Sequence, residues 1–142
     1  MPGYLLDLNV LMALAWRSHS QHQEARAWFH GRRQGPWFTC ALTQTGFLRL
    51  ACNPAVVQSV ASREFAARIL RALTAHREHR YLEAMPDPLL PAFDDIWNHV
   101  QGYRQISDGY LLCAARHHGV KLATFDKKLN AVPLWASIAE SL

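Results

Sequence analysis

The sequence predicts an α/β fold, a three-layer α/β/α sandwich around a central and mostly parallel sheet. Short apolar runs alternate with segments of helical periodicity along the whole chain, and strands that alternate with helices form parallel sheets covered on both faces. The chain has 142 residues and is 50% hydrophobic, enough to fill one core. We therefore expect a single domain that spans residues 1–142.

The first 31 residues are predicted to form one strand and two helices. Tyr4–Leu6 is a short apolar run typical of a buried strand. Asn9 is a suitable cap for a helix over residues 10–16. Ser20–Gln23 has the spacing of a capping box and opens a second helix that ends near Gly31.

A second strand and two further helices are predicted in the middle of the chain. Residues 36–40 form an apolar run that indicates a strand, and Thr43 is placed to cap the helix after it. Asn53-Pro54 stops that helix, because the residue before a proline disfavours helical backbone. Ser62 then begins a helix with an apolar stripe.

The last part of the chain predicts two strands and two helices. A short strand lies around residues 81–82, and after a proline-rich loop residues 93–100 are predicted to be helical. Ser107 caps another helix, which Gly119 ends. Residues 121–125 form the last predicted strand.

Composition narrows the class of protein only slightly. Fifteen Lys and Arg against eleven Asp and Glu give a formal net charge of +4, which by itself favours a polyanionic partner weakly. The odd number of cysteines, without a C-x-x-C pair, predicts small core residues in a reducing compartment: Cys40, Cys52 and Cys113. The chain shows no basic leader and no apolar run of membrane-spanning length. We expect a cytoplasmic protein that does not associate with a membrane.

Three aspartates share one kind of position. Asp7 ends the first predicted strand, Asp108 lies at the start of a late helix, and Asp126 follows the last predicted strand. An aspartate at such a position is often only a helix cap, but ligands of parallel sheets collect at the carboxyl ends of the strands. Clustered carboxylates repel one another, and a hard divalent cation such as Mg²⁺ or Mn²⁺ relieves this repulsion. Such an ion activates water and stabilises charge on a phosphodiester.

Four segments of the sequence resemble one known family. Residues 5–11, Leu-Leu-Asp-Leu-Asn-Val-Leu, resemble the opening motif of PIN domains. Residues 43–50, followed by Asn53-Pro54, resemble the second motif of one branch of the VapC toxins. Residues 107–112 and 123–126 resemble the closing pair of motifs. Each motif alone is weak, but their order and spacing match across nearly the whole chain.

The resemblance implies a PIN-like sandwich and RNA cleavage that depends on Mg²⁺, with Mn²⁺ as a substitute. Asp7 and Asp108 are then the expected direct ligands of the cation, and Asp126 acts through water or completes a second site. Thr124 is expected to support these ligands by a hydrogen bond, although it is equally acceptable as an ordinary strand residue. The family also implies a homodimer and a cognate VapB-like antitoxin whose C-terminal segment enters the acidic pocket.

One position departs from the family pattern. Many PIN domains carry a glutamate where this sequence has Gln44, and a neutral amide binds a hard cation more weakly. Gln44 is expected either to hold a metal-bound water or to be an ordinary residue of the first helical turn. Arg49 and Arg104 are candidate contacts for RNA phosphate, with salt-bridge or solvent roles as the alternative.

Two other functions remain open at this point. Gln44 favours a catalytically weak PIN-like module that binds RNA or protein, and the three aspartates argue against it. A phosphatase or nuclease of another α/β fold also uses clustered aspartates. The segment Asp7-Leu8-Asn9 argues against an aspartyl-phosphate enzyme, which normally has a second acid two residues after the nucleophile.

Overall fold

A computed structural model, which describes residues 3–57 and 61–142, contains a five-stranded sheet in which all neighbouring strands are parallel. The strands, in chain order, are β1 (Tyr4–Leu6), β2 (Trp37–Cys40), β3 (His79–Leu82), β4 (Lys121–Thr124) and β5 (Ala139–Ser141). Their order across the sheet is β3-β2-β1-β4-β5. From β1 the chain adds β2 and then β3 on one side, and it then crosses back to add β4 and β5 on the other side of β1. The order of the strands therefore reverses between β1 and β4. This reversal is where open parallel sheets bind ligands, at the carboxyl ends of the strands.

Helices cover both faces of the sheet. They are α1 (Leu8–Ala15), α2 (His22–Ala27), α3 (Ala41–Ala51), α4 (Arg63–Thr74), α5 (Asp94–Trp97), α6 (Ile106–His117) and α7 (Pro133–Ala136). Leu6 and its neighbours on one face pack against α1 to α4, whereas Leu5 and its neighbours on the other face pack against α5 to α7. Successive strand residues point to opposite faces, so each strand contributes to both cores. The predicted three-layer α/β/α sandwich is confirmed.

Two helices begin earlier than predicted. The cap of α1 is Asp7, whose carboxylate accepts a hydrogen bond from the Leu8 amide at 2.7 Å, so the prediction that Asn9 caps this helix is wrong. The prediction that Thr43 caps α3 is also wrong. The helix begins at Ala41, and the Thr43 hydroxyl instead accepts a hydrogen bond from the Cys40 amide at 3.0 Å, one turn back.

Two further caps differ from the prediction. Ser107 lies inside α6, because a 3₁₀ turn over Tyr103–Gln105 precedes the helix and Gln105 is its capping residue. The capping box predicted at Ser20–Gln23 does not form. Helix α2 starts at His22, whose ring donates a hydrogen bond to the carbonyl of Ala13 at 2.7 Å and ties the start of α2 to α1.

The C-terminal part of the chain contains elements that were not predicted. The helix expected over residues 93–100 is only the 3₁₀ turn Pro91–Phe93 followed by α5. Helix α7 and the edge strand β5 had no sequence signal strong enough to be predicted. Within the part of the chain that the structure describes, no helix is both long enough and apolar enough to cross a membrane.

Candidate active site

Asp7 lies at the carboxyl end of β1 and is held on several sides. Its amide donates to the carbonyl of Ala123 on β4 at 2.9 Å. One carboxylate oxygen accepts a hydrogen bond from the Leu8 amide, and the other accepts from the Thr124 hydroxyl, both at 2.7 Å. The residue is only 5% exposed. The orientation of this carboxylate is therefore fixed by the two neighbouring central strands.

Thr124, the last residue of β4, connects Asp7 to Asp126. Its hydroxyl donates to Asp7 and accepts a hydrogen bond from the Asp126 amide at 3.0 Å. The Asp126 carboxylate in turn accepts from the Lys128 amide at 3.0 Å, which fixes the turn after β4. The structure thus brings Asp7, Thr124 and Asp126 together in one hydrogen-bonded group.

Asn9 belongs to the same group, although sequence reasoning assigned it only a capping role. Its side-chain amide donates to the Thr124 hydroxyl at 3.4 Å, and its carbonyl oxygen accepts from the Phe125 amide at 3.3 Å. Asn9 therefore joins the first turn of α1 to the end of β4. The signal in the sequence was its place two residues after Asp7, on the same opening motif.

Asp108 lies in the first turn of α6 and is half-buried. Burial is the main cause that raises the pKa of its carboxyl group to about 6, and the negative charges of Asp7 and Asp126 add to the rise. Burial also raises the pKa of Asp7, with a further contribution from Asp126, against the hydrogen bonds from Thr124 and Leu8. The three carboxylates therefore interact electrostatically at the edge where β1 and β4 end. We call this acidic group of Asp7, Asp108 and Asp126 the acidic site.

A divalent cation fits the chemistry of this group. Carboxylate oxygens suit a hard cation, and positive charge between them would oppose both the burial penalty and the mutual repulsion. In residues 3–57 and 61–142, no three Asp, Glu, His or Cys side chains are arranged as a ready-made metal cage. An open set of donors suits Mg²⁺, which keeps several of its waters and binds one or two carboxylates.

The structure does not join Gln44 to the three aspartates. The Gln44 side-chain amide donates to the Thr39 hydroxyl at 2.9 Å, and this hydroxyl lies 2.8 Å from Nε2 of His79. This hydrogen-bonded chain runs from α3 across β2 to β3, away from β4. Among the described residues no hydrogen bond links Gln44 to Asp7, Asp108 or Asp126.

The two candidate arginines lie in different places. Arg104 is exposed in the turn before α6, four residues before Asp108, and its guanidinium lies 5.7 Å from the centre of the Tyr103 ring. Arg49 is exposed in the last turn of α3, a helix that starts at the carboxyl end of β2 and leads away from it. Arg104 therefore lies in the turn that leads into the helix of Asp108, and Arg49 lies at the far end of its own helix.

The comparisons with known proteins agree with this geometry. Residues 4–134 match the family model of the PIN domain. The chain is 44% identical to Ribonuclease VapC38 of Mycobacterium tuberculosis over 122 residues, which cover 86% of this chain and 84% of the relative. It is 36% identical to Ribonuclease VapC44 of the same organism over 131 residues, 91% of each chain.

Two solved structures share the fold at low sequence identity. Mycobacterium tuberculosis VapC20, described as a sarcin–ricin loop cleaving toxin, superposes with a TM-score of 0.62 at 14% identity and covers 90% of this chain and 93% of its own. VapBC2 from Rickettsia felis, bound to a DNA fragment from its promoter, superposes with a TM-score of 0.65 at 11% identity over 98% of both chains. The family model and the curated relatives carry the assignment: the chain belongs to the PIN-domain family and, within it, to the VapC-type ribonucleases.

Proposed function

We propose that the chain is a Mg²⁺-dependent endoribonuclease and the toxin of a VapBC-type toxin–antitoxin pair in the cytoplasm. The observation that carries this proposal is the group of three aspartates at the reversal of strand order, with the pKa of Asp108 raised to about 6 by burial and by the other two carboxylates. A protein gains nothing in stability from such mutual repulsion, so a bound cation explains why the group is there.

Asp7 and Asp108 are the side chains that would hold the cation. Mg²⁺, when bound, supplies a Lewis acid and an activated water for hydrolysis of a phosphodiester. Thr124 and Leu8 each donate one hydrogen bond to Asp7, which keeps its carboxylate in a single orientation and leaves a lone pair on each oxygen. Asp126, tied to Thr124 through its amide, adds negative charge beside the other two and acts through water or at a second metal.

Two partners are proposed. The neighbour from Rickettsia felis is a VapB–VapC complex, and for this chain we propose a VapB-like antitoxin that covers the acidic site. We also propose a homodimer. Trp28 does not belong to such an interface, because it is 1% exposed and lies in the core, where its ring nitrogen donates to Glu140 at 3.0 Å.

A catalytically weak binding module is the second candidate function. The observation in its favour is that Gln44 carries no charge and its amide is hydrogen-bonded to Thr39. Such a module would bind RNA without Mg²⁺-dependent cleavage, and this difference separates the two candidates.

The experiment compares RNA cleavage by the wild-type chain, Asp7→Asn and Asp94→Asn in a Mg²⁺ titration. Asp94 is an exposed aspartate on α5 and serves as a charge-matched control. We expect Asp7→Asn to remove cleavage, on the order of a thousandfold or more in rate, because metal-assisted stabilisation of the transition state is lost. Asp94→Asn should cleave as the wild type does. If Asp7→Asn cuts RNA at the wild-type Mg²⁺-dependent rate, Asp7 has no part in the mechanism; a wild-type chain that binds RNA without cutting it is the binding module.

A further inference from the structure

A basic cavity lies at the opposite edge of the sheet from the acidic site. It has a volume of about 550 Å³ and is formed by the end of α1, by α2 and the π-helical turn Trp28–Arg32 that continues it, and by the end of α4. The residues that line it include five nitrogen-bearing side chains and no carboxylate: Arg17, His22, Arg26, His30 and His76. Four of these also line an adjoining cavity of about 590 Å³. We call this surface the basic cavity.

The basic side chains of this cavity are available to a ligand. Within residues 3–57 and 61–142, Arg17, Arg26 and His30 take part in no salt bridge and no side-chain hydrogen bond. Arg33, which lies close by, is the contrast: its guanidinium donates to two backbone carbonyls and pairs with Glu78 at 3.1 Å. The guanidinium of Arg33 is therefore already hydrogen-bonded within the fold, whereas the guanidinium groups of Arg17 and Arg26, which line the cavity, are free to bind an anion.

The two half-buried histidines of the cavity are held in fixed orientations. His22 donates from Nδ1 to the Ala13 carbonyl, which leaves its other ring nitrogen unused. Nδ1 of His76 accepts from the Trp37 ring nitrogen and from the Glu78 amide, both at 3.2 Å, so the proton of this ring is on Nε2. Burial and the charge of Arg33 lower the pKa of His76. His76 therefore contributes a neutral N–H donor, and guanidinium groups supply the charge.

Helix α1 connects the acidic site to this cavity, and its length gives the distance between them. Asp7 is the cap of α1, and Leu14 and Ala15, at the end of the same helix, line the cavity. Eight residues at about 1.5 Å each put the two sites about 12 Å apart along the helix. A single RNA strand needs only a few nucleotides to cover this distance.

We propose that the basic cavity binds phosphate groups of the RNA strand several nucleotides away from the bond that is cut. This inference rests on the proposed function, which supplies a polyanionic substrate. Guanidinium groups match phosphate oxygens in charge and in forked geometry, and a set of donors without acceptors selects an anion. Phosphate contacts of this kind position a strand without reading its sequence. The cavity therefore sets a minimum length of substrate, while the acidic site carries out the reaction.

The test measures binding rather than cleavage. Arg17→Ala/Arg26→Ala is made in the Asp7→Asn chain, and fluorescence anisotropy follows single-stranded RNA of about sixteen nucleotides in EDTA at several salt concentrations. Arg32→Ala/Arg68→Ala in the same chain removes two exposed arginines that do not line the cavity, so it is the charge-matched control.

We expect the cavity variant to lose roughly five- to tenfold in affinity for this RNA, with the slope of log K against log salt falling by about 1.4 for two phosphate contacts. The control variant should change little. Equal losses in the two variants, or an unchanged slope, overturn the proposal. The proposal is also overturned if the cavity variant loses binding to a co-expressed antitoxin but binds RNA as before. The cavity is then a protein-docking surface. Because binding is measured in a chain that cannot cleave, failure of the ribonuclease proposal is seen separately, in the wild-type cleavage assay.

Discussion

The side-chain hydroxyl of Thr124 forms hydrogen bonds to two of the three aspartates. It donates to Asp7 and accepts from the Asp126 amide, so its loss leaves a buried carboxylate oxygen and a partly buried N–H without this partner. The cost of such unpaired groups is about 1–3 kcal/mol. Supporting hydrogen bonds of this kind also determine how well a carboxylate is oriented to bind a metal.

The first prediction concerns Thr124→Val, which keeps the shape of the side chain and removes the hydroxyl. The pKa of Asp7 should rise, because the hydrogen bond from Thr124 lowers it. Mg²⁺ affinity should fall by about 10- to 100-fold. Calorimetric titration with Mg²⁺ measures the affinity, and Thr124→Ser is the control that restores the hydroxyl. Wild-type affinity in the valine variant would show that Thr124 only fills space.

The second prediction concerns Asp108 in the absence of metal. Its pKa of about 6 lies above its usual 3.8, so the folded chain keeps a proton that the unfolded chain has already released. The free energy of unfolding should therefore fall as the pH rises from about 4 to about 6, and this loss of stability, the penalty for ionising Asp108 in the folded chain, should persist at higher pH. Allowing for the part of the carboxylate that solvent screens, it amounts to about 1–2 kcal/mol.

Urea unfolding in EDTA measures this penalty as the difference between the wild type and Asp108→Asn. The asparagine variant should be the more stable of the two above pH 6, and the two should converge near pH 4. Asp94→Asn, at an exposed position, should show no such difference. A variant that is less stable than the wild type at neutral pH would contradict the assignment of a raised pKa to Asp108.

At the scale of elements, a chain of hydrogen bonds joins α3, β2 and β3. The Gln44 amide donates to Thr39, and the Thr39 hydroxyl then donates to Nε2 of His79. Burial lowers the pKa of His79, so the ring is neutral, and the direction of every donor in the chain is consistent with this.

The third prediction is that Gln44→Glu raises the pKa of His79. A carboxylate can only accept, so Thr39 must turn its proton toward Glu and accept from Nε2 of His79, which favours the imidazolium form. NMR titration of the histidine rings measures the shift, with His99, exposed and distant in the sequence, as an internal reference. A raised folded pKa adds stability below the pKa of the unfolded chain, and this is lost as the pH rises through the folded value. Tighter Mg²⁺ binding with an unchanged His79 would mean that the new carboxylate faces the acidic site instead.

Elements with strong local signals were predictable, and those defined by tertiary contacts were not. Strands β1, β2 and β4 are apolar runs with clear ends, and Ser62 does cap α4, with its hydroxyl accepting from the Phe65 amide at 3.1 Å. In contrast, β5 has the sequence Ala-Glu-Ser, which carries no strand pattern, and it exists because it pairs with β4.

The composition of the acidic site was predictable, but its internal connections were not. The positions of Asp7, Asp108 and Asp126 after apolar runs were visible in the sequence. That Asp7 both caps α1 and accepts from Thr124 depends on the register of β1 against β4, which no local pattern contains. For the same reason the sequence left two roles open for Gln44, holding a metal-bound water or being an ordinary residue of the first helical turn, and did not indicate its hydrogen bond to Thr39 on the strand that precedes its helix.

At the scale of the whole molecule, the sheet separates two surfaces of opposite charge. The acidic group lies at the carboxyl ends of β1 and β4, and the basic cavity lies where α1 and α4 end. Because α1 connects the two, a rigid helix sets their separation. An RNA strand bound to both would be neutralised by arginines at one edge and brought to a metal-dependent reaction at the other.

The last prediction is that Mg²⁺ stabilises the whole fold through the acidic group. A ligand that binds only the folded state adds about 2.7 kcal/mol to the free energy of unfolding when present at about a hundred times its dissociation constant. For a chain of this size such a gain raises the melting temperature by roughly 5–15 °C. The rise should be larger above pH 6 than below it, because Asp108 must lose its proton before it binds the cation.

Thermal unfolding with Mg²⁺ or EDTA, at matched ionic strength, measures this effect in the wild type, Asp108→Asn and Asp94→Asn. Asp108→Asn starts from a more stable metal-free fold but should gain much less from Mg²⁺, so the order of the two melting curves reverses when metal is added. The control at Asp94 should follow the wild type in both conditions. An equal Mg²⁺-induced rise in all three proteins would mean that the cation acts on the surface charge of the molecule, and that the carboxylates at the end of β1 and β4 do not bind it.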